Sequence, residues 1–186
     1  LVCRNSDTIT SDQIIDMTNS LIHRGPDDNG YWFNDEKNVA FGHRRLSIID
    51  VSENGRQPMT SANGRYTISF NGEIYNFNDL KSELGNIDLS SSTDTEVLLE
   101  YISKYGLSIT LNNLRGMFAF SLWDSKKRQV FLVRDRIGIK PLYYHRNSGN
   151  LAFSSELKAI SSLDTFTSEI DKQALADYFM WNYIPA

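Results

Sequence analysis

Hydrophobic and polar positions switch between helical and strand periods along this chain, and the switches mark out its elements. Ile14, Met17, Leu21 and Ile22 share one helical face behind Thr10 and Gln13, which have capping-box spacing. This predicts a helix from residue 11 to about 23, stopped by Gly25-Pro26. Short strand-like runs follow at residues 31–33, 39–42 and 46–49, and the alternation Tyr66-Thr67-Ile68-Ser69-Phe70 predicts a half-buried strand. A second Thr-x-x-Glu signal, Thr93 to Glu96, precedes Val97, Leu98, Leu99, Tyr101 and Ile102, with Gly106 placed to end that helix. Residues 117–123 and 129–134 read as strands on either side of a turn. Residues 142–145 and 151–154 suggest a further hairpin. Asp171 can cap a last helix that carries Leu175, Ala176, Phe179 and Met180 on one face, with Ile184-Pro185 ending it. Many antiparallel strands with helices outside them predict a layered α+β fold, in one domain over residues 1–186.

Composition narrows the function more than the fold. The 186 residues are 40% hydrophobic, and 19 basic against 23 acidic residues give a net charge of -4. The basic residues are scattered, which argues against nucleic acid as a partner. No apolar run approaches the roughly 20 residues needed to cross a bilayer, so no membrane partner is expected and the default location is cytoplasmic. One cysteine and three dispersed histidines, His23, His43 and His145, give no disulfide framework and no metal spacing. With neither a Walker loop nor a GxGxxG run, no cofactor is expected in this domain.

The chemistry lies in five runs: His23-Arg24-Gly25-Pro26-Asp27, His43-Arg44-Arg45-Leu46-Ser47-Ile48-Ile49-Asp50, Asn71-Gly72-Glu73-Ile74-Tyr75-Asn76, Thr93-Asp94-Thr95-Glu96, and the stretch from Arg134 to Tyr144. In this order they resemble the class II glutamine amidotransferase (glutaminase) domain of glutamine-dependent asparagine synthetases of the asparagine synthase B type. The resemblance implies a four-layer αββα sandwich of the N-terminal-nucleophile hydrolase kind. It also implies a cysteine as first residue of the mature chain, whose thiol attacks while its own α-amine handles the proton. This sequence opens Leu1-Val2-Cys3-Arg4-Asn5. The nucleophile is therefore expected upstream of Leu1, in first residues missing from this sequence, and Cys3 is expected to be a small buried hydrophobe.

Read from the residues alone, Asn71-Gly72 after an alternating strand signals a tight hairpin turn, Arg44-Arg45 a solvated strand edge, and Asp94 a helix-dipole acid. The resemblance implies more for the same positions. Asn71 and Gly72 would supply the side-chain amide and backbone N–H of an oxyanion hole, aimed by that turn. Arg45 would hold the glutamine α-carboxylate through paired hydrogen bonds. Leu46, Ser47, Ile48 and Ile49 would wall the pocket, and Glu73 and Asp94 would contact the substrate, Asp94 through its α-ammonium. His23 is expected to shape a loop over the site, not to act as a base.

The implied activity is hydrolysis of glutamine to glutamate and ammonia for transfer to activated aspartate. Expected partners are glutamine and a C-terminal or separate synthetase domain that would carry ATP and Mg. Homodimerisation is left open. Two other readings stay open on sequence: a glutamine-binding domain without a nucleophile, and an amidotransferase serving a sugar or antibiotic precursor.

Overall fold

The computed structural model describes residues 8–46, 53–147 and 149–185. Cys3, Ser47, Ile48 and Ile49 lie outside them. Helix α1 (Ser11–Asn19) leads into the hairpin of β1 (Asp28–Phe33) and β2 (Ala40–Arg45), and then come β3 (Met59–Thr60) and β4 (Tyr66–Ile74). Helices α2 (Phe77–Leu84), α3 (Asp94–Tyr105) and α4 (Leu107–Asn113) precede strands β5 (Gly116–Asp124) and β6 (Gln129–Arg134). The hairpin of β7 (Tyr143–Asn147) and β8 (Asn150–Ser154) is followed by α5 (Leu157–Ser161) and α6 (Lys172–Trp181).

The antiparallel sheet β3-β4-β5-β6 divides its residues by parity. Ile68, Phe70 and Ile74 of β4 and Phe118, Phe120 and Leu122 of β5 point to one face, where Leu80, Leu98 and Ile102 of α2 and α3 bury them. Trp123 points to the other face and packs with Val39, Phe41, Val130 and Phe153. Phe41 and Phe153 come from the β1-β2 and β7-β8 hairpins, with ring centroids 5.8 Å apart. The neighbouring residues of opposite parity, Ala40 and Ala152, pack with Ile14 and Met17 of α1 and Ile160 of α5. The order is thus helices, four-stranded sheet, paired hairpins, helices, which is the four-layer αββα arrangement. Among the described residues no helix is long and apolar enough to cross a membrane.

Local signals placed several elements. Thr10 and Gln13 form a reciprocal capping box, and Gly106, at φ +84°, ends α3. The first helix stops sooner than predicted, at Asn19, with a 3-10 turn at Ile22–Arg24 before Gly25. At α3 only half of the capping box forms. Thr93 Oγ1 accepts from the Glu96 N–H at 3.2 Å, but the Glu96 carboxylate turns to the N–H groups of Ser90 and Ser91 at 2.8 and 2.6 Å. Helix α6 is capped by Asp171 as predicted, yet it ends in left-handed Asn182 before Ile184-Pro185, and none of its residues is buried.

The largest correction concerns Asn71-Gly72. There is no turn there: both residues lie inside the nine-residue strand β4, opposite Ala119 and Phe118 of β5. Glycine is needed at 72 for close packing, since a Cβ would overlap Met117 O and lie 2.7 Å from Phe118 Cα.

Candidate functional site: a cleft at the open edge of a strand

Between the two sheet layers lies a cleft of about 530 Å³, lined by Arg45, Leu46, Asn71, Gly72, Glu73 and Asp94 among others. Every predicted site residue within the described part therefore converges on one cavity. Arg45 sits at the end of β2 and is 9% exposed, so it is no solvated edge charge. Leu46 beside it is 54% exposed at the rim. Asp94, buried in the first turn of α3, accepts the Ile74 N–H at 2.9 Å.

Strand β4 supplies one corner of the cleft. Odd-numbered residues of β4 bond towards β5, so the even N–H groups point to the opposite edge. There β3 pairs with Ile68 and Thr67 and goes no further. Beyond it, side chains take over: Gln57 Oε1 accepts the Phe70 N–H at 2.6 Å and Asp94 Oδ2 accepts that of Ile74. Between them the Gly72 N–H has no acceptor among the described residues. The Asn71 side chain, of opposite parity, lines the cleft. In place of the predicted turn, a strand interior next to an unpaired edge presents an N–H and a neighbouring side-chain amide to the cavity.

Two glycines fix Arg45. Gly25 packs against its backbone, where a Cβ would stand 2.6 Å from Arg45 N and 2.5 Å from Arg44 C. The adjacent Asp27 N–H donates to Arg45 O at 3.1 Å. Gly55 lies against the guanidinium, where a Cβ would overlap Nη2. The His23-to-Asp27 loop is clamped from outside by Glu156, which pairs with His23 Nε2 and Arg24 Nη1, each at 2.9 Å. Those partners, Arg24 first, hold the Glu156 carboxyl at about 2. His23 thus ties the loop to Glu156.

Electrostatics divide the cleft. Burial, with Arg45 adding to it and Asp28 opposing, lowers the His43 pKa to about 4; its Nδ1 lies 3.2 Å from Ser69 Oγ. His43 is neutral in the folded state at pH 7. The unfolded chain takes up this proton near pH 6.5, so stability falls as pH drops from about 6.5 to about 4 and levels off below, by about 3 kcal/mol in all. His43→Gln should flatten that part of a denaturation-versus-pH curve; an unchanged slope would refute the assignment. Asp94 is displaced the other way. Burial raises its pKa, and Glu73 adds to this against the N–H groups of Ile74 and Thr95.

The sequence reading missed Gln57, Gly55, Thr95 and the His43–Ser69 contact. Thr95 stood within a quoted run, but nothing in Arg56-Gln57-Pro58 signals a side chain that completes a strand edge. Among the described residues no group of three or more His, Cys, Asp or Glu side chains could hold a metal.

Comparison with known proteins supplies the decisive observation: a model of the glutamine amidotransferase domain matches residues 2–186. The chain belongs to that family. The amidotransferase domain is 44% identical over 181 residues to the glutamine-hydrolyzing asparagine synthetase 1 of Bacillus subtilis strain 168, covering 95% of this chain and 28% of the relative. It is 40% identical over 167 residues to asparagine synthetase 3 of the same organism, covering 88% and 26%. The chain thus spans little more than a quarter of these relatives' length. Among solved structures, glutamine phosphoribosylpyrophosphate amidotransferase from B. subtilis superposes with a TM-score of 0.69 at 23% identity, over 83% of this chain and 41% of that one. At that identity the match speaks for the fold, the one the amidotransferase domain was expected to have.

Proposed function

We propose that the cleft binds glutamine and that the chain is the glutaminase part of a glutamine-hydrolysing asparagine synthetase. The observation that carries this reading is the Gly72 N–H, an unaccepted donor beside the Asn71 amide, in a cavity that also holds a buried arginine and a buried acid. Arg45 would take the α-carboxylate, Asp94 with Glu73 the α-ammonium, and Asn71 and Gly72 the amide oxygen as it becomes an oxyanion. Ser47, Ile48 and Ile49 would complete the wall after Leu46.

The nucleophile would be the thiol of an N-terminal cysteine upstream of Leu1. Its sulfur adds to the amide carbon, the α-amine passes the thiol proton to the leaving nitrogen, and the C–N bond breaks to release ammonia. Water then hydrolyses the thioester to glutamate. Ammonia would pass to a synthetase part that uses ATP and Mg to activate aspartate. Ile137, Ile139, Tyr143 and Tyr144 are large apolar side chains left exposed, and are available to such a partner.

Titration of the chain with glutamine tests the pocket, and Gly55→Ala tests its geometry. The new methyl overlaps the end of a flexible side chain, Arg45 Nη2, and comes within 3.2 Å of Thr93 Cγ2, so folding should be little changed while glutamine affinity falls about tenfold or more. Absence of saturable binding to the parent chain, or equal affinity in Gly55→Ala, would defeat the assignment.

A further inference from the structure

The site's two halves are joined by a line of hydrogen bonds that none of the substrate-facing roles above requires. Gln57 Oε1 accepts the Phe70 N–H at 2.6 Å, while Gln57 Nε2 donates to Thr95 Oγ1 at 3.4 Å. Thr95 Oγ1 in turn donates to Asp94 Oδ1 at 3.5 Å, and Asp94 Oδ2 accepts the Ile74 N–H at 2.9 Å. The polarity of this line is forced. Only the oxygen of the Gln57 amide can accept from a backbone N–H, so its nitrogen faces Thr95. The Thr95 hydroxyl then has its proton free for the carboxylate. Thr95 is 4% exposed, which leaves water little room to substitute for either contact. The line begins and ends on β4, at the two N–H groups that flank Gly72.

We propose that Gln57 and Thr95 are positioning residues that aim Asp94 and tie it to the Asn71–Gly72 pair, so that the site engages the amide only of a ligand whose α-ammonium is in place. This rests on the glutamine reading above. The Ile74 N–H holds Asp94 Oδ2, the Thr95 N–H also acts on the carboxylate, and the Thr95 hydroxyl is the side-chain donor to Oδ1. A carboxylate held by all three donors meets an ammonium group in one orientation, whereas one that has lost its side-chain donor is freer to rotate about its Cβ–Cγ bond. Contacts of 3.4 and 3.5 Å are long, and hydrogen bonds of this kind in active sites characteristically tighten when ligand binds.

The test compares L-glutamine with glutaramate, the same amide without the α-amino group, by NMR titration of the parent chain, Thr95→Val and Thr95→Ser. Thr95→Val keeps the buried shape and removes the hydroxyl. It should weaken glutamine about tenfold and leave glutaramate within about twofold, and Thr95→Ser should restore glutamine. Equal weakening of both ligands would mean a general distortion and overturn the proposal, as would no change in either. Failure of the parent chain to bind glutamine at all would instead bring down the functional reading, and this inference with it. A readout independent of any ligand is the pH titration of the Asp94 carboxyl carbon, which should move to higher pH in Thr95→Val because a donor to the charged form is lost. An unmoved titration would also overturn the proposal.

Discussion

Gly72→Ala should cost both fold and chemistry. The added methyl overlaps Met117 O and approaches Phe118 Cα, atoms of a strand backbone held in register from Gly116 to Asp124, so neither can step aside as a side chain would. The sheet must open locally. Overpacking of this kind costs about 2 kcal/mol, or about 5 °C in melting temperature for a chain of this length. The same opening displaces the Gly72 N–H from its place beside the Asn71 amide. Ammonia release by protein with its natural N-terminus should then fall about 100- to 1000-fold, the usual cost of one oxyanion donor. Melting and ammonia release measured on one preparation check this; an alanine variant that melts normally and hydrolyses glutamine at the parent rate would rule out the donor role.

Asp94→Asn should separate stability from binding in the opposite sense. Asparagine keeps the oxygen that accepts the Ile74 N–H, so the helix start stays in place. The charge goes, and with it the partner of the α-ammonium, so glutamine affinity should drop about 10- to 100-fold. The melting temperature at pH 7 should hold or rise. Because burial raises the Asp94 pKa, the folded state binds that proton more tightly than the unfolded chain does. Ionised Asp94 therefore weakens the fold above its raised pKa, and the penalty fades as pH falls towards the ordinary carboxylate range. Removing the charge removes the penalty. Calorimetric titration beside thermal melting gives both numbers; intact glutamine affinity in Asp94→Asn would exclude the ammonium contact.

What could be read from the sequence was what short-range signals encode. Helix α3 announced itself through Thr93, Gly106 and a continuous apolar face, and β6 was placed at its observed limits because its run is apolar and bounded by turn residues. The convergence of Arg45, Asn71, Glu73 and Asp94 came from the resemblance and not from periodicity, since four residues on three separate elements share no local pattern. Asn71-Gly72 was misread as a turn because that signal takes no account of the partner strand. Whether β4 stops or continues was decided by Phe118, more than 40 positions away, which leaves no room for any residue larger than glycine. Helices α2, α4 and α5 went unpredicted; they are short, at 8, 7 and 5 residues, and too brief for a face to repeat. Gln57 was invisible for a different reason: its amide imitates the backbone of a strand that β3 is too short to supply, and imitation leaves no mark in composition.

The shortness of β3 also bears on how the molecule avoids edge-to-edge strand addition while it folds and works. An uncompleted strand edge is normally a template on which another chain can add itself, one backbone amide after another, and it is a common starting point for fibre-like assembly. Here the row of donors that such an invader needs is broken. Gln57 and Asp94 already occupy the amides at 70 and 74, leaving a single open position at 72. Nearby Asp94 and Glu73 also repel the carbonyl-rich face of an incoming strand. One gap is enough for a small ligand and too little for a polypeptide, so the edge can stay open for chemistry without becoming sticky.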